Sequence, residues 1–126
     1  MLTTNGISVG VETQYQPQQS NPTKRQFAFA YRITIENRSP YTVQLLRRHW
    51  YIFDSNGQKH EVEGEGVVGL QPVLSPGEQH QYVSWCQLES DMGYMEGTYQ
   101  MIRNEDGAIF EVVIPRFALQ LPDRQN

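Results

Sequence analysis

A run of six residues near the middle of the chain, Gly64-Glu65-Gly66-Val67-Val68-Gly69, matches a phosphate-binding pattern in its letters. In dinucleotide-binding folds, the GxGxxG spacing sets a pyrophosphate against the N-terminus of a helix. Here Leu70-Gln71-Pro72 and Ser75-Pro76-Gly77 follow, so the helix that would confirm the pattern is missing. Two interpretations stay open: the loop amides form an anion-binding nest without a helix, or the glycines permit a tight crossover between sheets.

Two adjacent arginines supply the positive charge that an anion site would need, because guanidinium groups bind phosphate or carboxylate through paired hydrogen bonds. On an extended strand, Arg47 shares a face with His49 and Arg48 shares the other with Trp50, unless a bulge rotates them. The alternative is one solvated arginine and one packed along an aromatic ring. The candidate binding residues are Gly64, Gly66, Gly69, Arg47 and Arg48.

The remaining metal-ligating residue types form no strong metal motif. None of the three histidines is spaced from another as a zinc pair; they are His49, His60 and His80. Glu61, Glu63 and Glu65 would line one side of an extended segment, where magnesium could bind or where the row is simply a solvated strand face. We therefore predict no metal site and no cofactor.

The single cysteine, Cys86, bears on both chemistry and compartment. It cannot close an intramolecular disulfide or form a CxxC pair, so the chain is not built for an oxidising compartment and we expect a cytoplasmic location. A thiolate nucleophile needs an oriented base, and none can be assigned, so we expect a buried, inert thiol. No catalytic residue is predicted, and the protein is not expected to be an enzyme.

Charge and hydropathy limit the classes of partner. A formal charge of −4 gives no overall attraction to nucleic acid or to anionic lipid. No apolar run approaches the roughly 20 residues that span a bilayer, and the first residues lack the pattern of a signal peptide. We expect neither nucleic acid nor membrane as a partner.

The elements that would position these residues are strands, since the apolar side chains alternate with a period of two. Ile7 to Tyr15 and residues 27–36 alternate most clearly, and the second of these is predicted to be a central strand. Apolar residues fall at odd-numbered positions before Leu46 and at even-numbered positions after it, which indicates a β-bulge. Turn-forming residues at 54–57, 75–78 and 104–107 separate further strands. Residues 92–97 are expected to hold one 3₁₀ turn.

These strands predict one all-β domain over residues 1–126, with an ordered core at about 5–121 and a fraying tail at 122–126. Seven to eight antiparallel strands at short intervals favour a β-sandwich of the immunoglobulin or fibronectin type III kind over a barrel. The predicted contributors to the core are Phe29, Tyr31, Ile33, Ile35, Val112 and Ile114.

Several blocks in order along the chain carry a family resemblance. They are Arg47-Arg48-His49-Trp50, the glycine-rich run 64–69, Gln71-Pro72, Pro76-Gly77-Glu78, Gly93-Tyr94-Met95-Glu96-Gly97-Thr98-Tyr99 and Ile114-Pro115-Arg116-Phe117. With these blocks the chain strongly resembles the bacterial ApaG family. The resemblance implies a fibronectin type III-like sandwich, in agreement with the strand pattern.

The resemblance implies less about function, because ApaG-like domains have no agreed reaction. Their bacterial genes often lie near those of a dinucleoside polyphosphate hydrolase and an rRNA methyltransferase, and an older name ties them to cobalt and magnesium efflux. Related domains in eukaryotic F-box proteins and in a polymerase-interacting protein look like interaction modules. We therefore predict a non-enzymatic module that binds a protein partner through a sheet face or edge and the loop 64–72. The alternatives are a phosphate- or nucleotide-binding protein that uses the glycine loop, and a protein linked to cobalt or magnesium homeostasis.

Overall fold

The alternating pattern of the sequence forms nine strands in a computed structural model, which describes residues 1–122 of the chain. Two single 3₁₀ turns, Pro17–Gln19 and Pro22–Lys24, occupy the polar connection after the second strand, and residues 1–122 contain no α-helix. Of the predicted tail, residues 123–126 lie outside the described residues. The strands are β1 (Leu2–Thr4), β2 (Ile7–Tyr15), β3 (Phe27–Asn37), β4 (Val43–Asp54), β5 (Lys59–Glu65), β6 (Val73–Leu74), β7 (Gln79–Leu88), β8 (Met92–Arg103) and β9 (Ile109–Gln120).

The strands form two antiparallel sheets that pack face to face. One sheet has the order β1-β2-β3-β7, and the other has the order β5-β4-β8-β9 with β6 paired to β4. This arrangement confirms the predicted all-β sandwich, with β3 in the interior of its sheet. The count is nine rather than seven to eight because β1 and β6 have only three and two residues, too few to show an alternation.

The hydrophobic core lies between the two inner faces, where alternate residues of each strand meet. All six residues predicted for the core are buried, which confirms that assignment. Tyr31, Trp50 and Phe117 form an aromatic cluster across the sheets, with ring centroids 5.5–5.8 Å apart. Other members of the core are Ile7, Val9, Leu45, Leu88, Met95, Tyr99, Met101 and Leu119.

The change of parity in β4 is a β-bulge, as predicted. The register with β8 shifts between Leu45 and Arg47, so Leu46 is the extra residue. The predicted turn at 75–78 is also present: the amide of Glu78 donates to the carbonyl of Ser75 at 3.0 Å, and Gly77 has φ +86°.

The prediction of a 3₁₀ turn at residues 92–97 is wrong, because this segment is the first half of β8. Its two glycines serve a close approach between strands rather than a turn. A Cβ on Gly97 would lie 2.1 Å from the carbonyl oxygen of His49 on β4, and one on Gly93 would lie 2.2 Å from that of Phe53. Glycine at these positions therefore reflects packing against β4.

Candidate binding groove between two sheet edges

One long side of the sandwich is open, since the edge strands β5 and β7 are not joined to each other. β5 ends one sheet and β7 ends the other, and no hydrogen bond connects them among the described residues. Between them lies a groove of about 650 Å³. Its lining includes Tyr31, Arg48, Trp50, His60, Glu61, Val62, Val67, Tyr82, Ser84, Trp85 and Cys86.

The opposite side of the sandwich is closed by hydrogen bonds between β9 and the N-terminal strands. The side-chain amide of Asn5 donates to the carbonyl of Glu111 at 3.0 Å, and the amide of Val113 donates to the hydroxyl of Thr4 at 3.3 Å. Strand β9 also packs along β1 and β2. The open groove is thus a feature of one side of the molecule.

Arg48 lies on β4, two positions after the bulge at Leu46. Its side chain therefore points inward into the groove, as the side chain of Trp50 does. Its Nη1 donates to the carbonyl oxygens of Glu65 at 2.9 Å and Gly66 at 3.0 Å. Gly64 is its direct partner across the β4–β5 ladder, and a Cβ there would lie 2.8 Å from Nη1 and 2.9 Å from Nη2. The missing side chain at Gly64 therefore lets the guanidinium lie across β5.

Arg47 lies on the outer face of the same sheet, in a shallow depression lined by His49, Thr98 and Gln100. Arg48 borders this depression as well, but only Arg48 lines the groove between the sheets, in accordance with the alternation of the strand. The structure brings Gly64, Gly66 and Arg48 together but does not bring Arg47 to them.

The glycine-rich run forms a tight turn whose amides are used within the chain. Gly66 donates its amide to the carbonyl of Leu46 at 2.8 Å. Val67 and Leu70 exchange two hydrogen bonds of 2.8 and 3.0 Å around a two-residue turn. Both central residues, Val68 and Gly69, have positive φ, of +48° and +77°, as a type I′ turn requires. These contacts favour the architectural interpretation, while anion binding by Gly64, Gly66, Gly69, Arg47 and Arg48 stays a prediction.

Tyr31 and Tyr82 line the groove, whereas Tyr99 is fully buried beneath it, and all three lie within the electrostatic reach of Arg48. Burial raises the pKa of Tyr31, Tyr82 and Tyr99, and the positive charge of Arg48 partly offsets this rise in each. The hydroxyls of Tyr82 and Tyr99 are hydrogen-bonded to each other, and the side chain of Ser84 acts on Tyr31. All three phenols are consequently neutral at pH 7 and able to donate.

Cys86 lies near the C-terminal end of β7 and lines the groove together with Tyr31 and Tyr82. Burial, with a smaller contribution from the charge of Asp54, raises the pKa of the thiol to about 11. At neutral pH the sulfur is therefore protonated, the opposite of an activated nucleophile.

Two of the three glutamates in the acidic row on β5, Glu61 and Glu63, contact His49 while their side chains stay largely exposed. The imidazole Nε2 lies 3.1 Å from Glu61 and Nδ1 lies 2.9 Å from Glu63. Residues 1–122 contain no group of three or more histidine, cysteine or acidic side chains arranged to hold a metal ion. The same residues include no helix long and apolar enough to cross a lipid bilayer.

Sequence reasoning missed the groove as a site, although part of its lining was visible. The alternation of β7 assigns Tyr82, Ser84 and Cys86 to one face, which is the face that lines the groove. It does not indicate that β5 lies opposite, because β5 and β7 are on different sheets. The site could have been identified from two features taken together: the polar groups of Tyr82, Ser84 and Cys86 on the inner face of β7, and the inward-pointing side chain of Arg48 on β4.

Comparison with known proteins decides the family. Residues 17–103 match the family model described as the ApaG domain. The chain belongs to the ApaG family. It is 51% identical over 120 residues to Protein ApaG of Afipia carboxidovorans, covering 95% of this chain and 92% of that protein. It is 50% identical over 123 residues to Protein ApaG of Brucella abortus, covering 98% of this chain and 94% of the relative.

A solved structure has the same fold as this ApaG chain. The crystal structure of a Bordetella pertussis protein superimposes with a TM-score of 0.89 and is 42% identical in sequence. The match covers 92% of this chain and 94% of that one.

Proposed function

We propose that the protein is a non-enzymatic cytoplasmic module that binds an extended segment of a partner protein along the groove between β5 and β7. The observation that carries this proposal is the asymmetry of the sandwich: one side is closed by hydrogen bonds, whereas the other presents two unpaired strand edges to one groove. An unpaired edge offers backbone donors and acceptors to an added strand.

Apolar side chains at the rim of the groove support binding of a polypeptide. Trp85 on β7 is 57% exposed, Val68 in the glycine turn is 61% exposed, and Val62 on β5 is also exposed. Large aromatic residues at the edge of a groove are the typical anchors of protein interfaces. An added strand would gain main-chain hydrogen bonds from β7 and side-chain contacts from these residues.

The state of the titratable groups supports a binding role over catalysis. Burial keeps the thiol of Cys86 and the phenols of Tyr31 and Tyr82, which line the groove, in their neutral forms. A nucleophile for group transfer needs a lowered pKa or an adjacent base. The unpaired thiol is also the reason to propose a reducing, cytoplasmic compartment.

Phosphate or nucleotide binding at the glycine turn is the competing proposal, and the backbone orientation speaks against it. The carbonyl oxygens of Glu65 and Gly66 face Arg48, and the amide of Gly66 is donated to Leu46. An anion nest needs converging amides that are not donated elsewhere.

The test is selection of peptides from a displayed random library on the folded protein, followed by NMR of the bound form. We expect selected peptides to shift the backbone amides of β7 and β5. Trp85→Ala should weaken their affinity by about tenfold or more, because interface aromatic residues are frequent hot spots. Ile109→Ala is the matched control, since Ile109 is 54% exposed on β9, at the far edge of the sheet. Peptides that bind a face of the sandwich or the β9 edge would contradict the proposal.

A further inference from the structure

Arg48 carries a positive charge into the groove, and no carboxylate of the described residues forms an ion pair with it. Its two hydrogen bonds both come from Nη1 and both go to backbone carbonyl oxygens. Within residues 1–122 the ion pairs of the other cationic side chains are formed by Arg38, His49, Arg103 and Arg116, and none involves Arg48. The donors on Nη2 and Nε therefore have no hydrogen-bond partner among the described residues.

The surroundings of Arg48 make this charge attractive to an anion. The guanidinium is partly buried, with Trp50 and Val67 among the apolar walls of the groove. Electrostatic attraction is stronger in such a partly desolvated site than at an open surface. The hydroxyls of Tyr31 and Ser84 lie in the same lining and add neutral O–H donors. The floor of the groove thus gathers donors around a single cation.

The balance of charge selects a monoanion over a phosphate dianion. Among residues 1–122, Arg48 is the one arginine that lines the groove, because Arg47 lies on the opposite face of the sheet. The carboxylate of Glu61 is paired with His49 on the outer face of the sheet and does not balance the charge of Arg48. A planar carboxylate matches both the charge and the fork geometry of a guanidinium.

We propose that the groove between β5 and β7 contains a carboxylate-binding site, in which Arg48 pairs with an acidic group of the bound segment. The carboxylate belongs either to an aspartate or glutamate side chain or to the C-terminus of the segment. Gly64 is the positioning residue, since its lack of a side chain keeps the guanidinium across β5. This site rests on the proposed function, to which it adds the chemistry of the partner.

Three synthetic valine-rich peptides of equal length test the site by NMR titration of the full chain. One has blocked ends and a central glutamate, the second has blocked ends and a central glutamine, and the third has the glutamine with a free C-terminal carboxylate. We expect the acidic peptides to bind about tenfold or more tightly than the blocked glutamine peptide, as a charge-assisted pair predicts. They should also shift the Arg48 Nε–Hε resonance. The better of the two acidic peptides identifies the source of the carboxylate.

Variants separate a role of Arg48 in binding from a role in folding. Arg48→Gln should abolish the higher affinity for the acidic peptides. Arg48→Lys should retain part of it, because lysine keeps the positive charge but lacks the paired donors of a guanidinium. Arg47→Gln is the matched control and should leave the preference unchanged. If Arg48→Gln does not fold, Gly64→Ala replaces it: its Cβ displaces the guanidinium, so the preference should fall while the charge stays.

The outcomes distinguish this inference from the proposed function. Equal binding of all three peptides at β7 would overturn the carboxylate site and leave the strand-binding groove intact. Sodium acetate that shifts the Arg48 resonance while no peptide binds would support the site and contradict the proposed function. Tighter binding of inorganic phosphate than of acetate, or no response of Arg48 to any of these probes, would overturn the carboxylate site.

Discussion

The carboxylate of Asp54 accepts a hydrogen bond of 2.7 Å from the backbone amide of Glu89, which lies 35 residues further along the chain. The same carboxylate accepts a hydrogen bond from the hydroxyl of Ser90, and Asp54 is only 1% exposed. It therefore joins the turn that follows β4 to the connection between β7 and β8. This contact couples the two sheets at one end of the sandwich.

Replacing Asp54 should destabilise the fold strongly, because the mutation removes a buried carboxylate that accepts hydrogen bonds from the partly buried amide of Glu89 and hydroxyl of Ser90. We expect Asp54→Ala to lower the free energy of unfolding by about 3 kcal/mol. Chemical denaturation followed by circular dichroism measures the change. Glu105→Ala, at an exposed turn position, is the control and should have little effect. Equal stability of the two variants would contradict the structural role of Asp54.

Gly66 should be required for the shape of the glycine turn rather than for binding an anion. It has φ +65°, and a Cβ would lie 2.3 Å from the carbonyl oxygen of Leu70. We expect Gly66→Ala to lower stability by about 1 kcal/mol or more. Gly69→Ala is the matched comparison, since Gly69 has φ +77° but no atom within 4 Å of the added Cβ, so its cost should be smaller. Saturable NMR shifts at 64–69 on adding pyrophosphate, lost in Gly66→Ala with stability unchanged, would support the anion nest instead.

Val68 occupies the first central position of the same turn in a conformation that a β-branched residue rarely adopts. Its side chain is largely exposed, so little packing offsets the backbone strain. Asparagine tolerates positive φ well and is typical of this turn position. We therefore expect Val68→Asn to raise the free energy of unfolding by about 1 kcal/mol. If thermal denaturation shows a decrease instead, contacts of the valine with the groove outweigh the strain.

Cys86 should react slowly and should make stability fall at alkaline pH. Burial raises the pKa of the thiol to about 11 in the folded state, whereas an unfolded cysteine ionises near about 8.5. Between these values the unfolded state binds fewer protons, so its free energy falls relative to that of the folded state. The stability that is fully present below about pH 8.5 is thus progressively lost as pH rises towards 11, with a total of about 3 kcal/mol.

The pH dependence can be measured by urea denaturation of the wild type and of Cys86→Ala. Up to about pH 9, where unfolded tyrosines remain largely protonated, the variant should lose less stability than the wild type as pH rises. Alkylation by iodoacetamide at pH 7 should also be much slower in the folded than in the unfolded protein. Rapid alkylation of the folded chain would indicate an accessible thiolate and contradict the buried, inert thiol.

Local sequence determines much of this fold in a way that can be predicted. The alternation of Phe29, Tyr31 and Ile33 identifies the central strand, since only one face of a sheet can meet the core. Pro76 and Gly77 determine the turn before β7, because each residue restricts or permits a particular φ. The change of parity near Leu46 likewise marks the bulge. Each of these features depends on neighbours in the chain.

The candidate site is less predictable because it depends on which strands meet in space. Nothing near Gly97 indicates that the carbonyl of His49 will approach it, so its glycine resembles a turn residue in the sequence. The groove brings Arg48 on one sheet near Ser84 on the other, and that proximity follows from the order of strands in two sheets. The alternation predicts which way Arg48 points but not what it meets.

The bulge in β4 has a consequence for how this chain tolerates changes of length. Leu46 is the extra residue, and its carbonyl oxygen accepts hydrogen bonds from the amide of Gly66 at 2.8 Å and from Gln71 Nε2 at 3.0 Å. A deletion of Leu46 would restore regular pairing and keep Leu45 and Trp50 facing inward. The shortened protein should therefore fold as a sandwich, yet its glycine turn would have lost its anchor and one end of the groove would be open.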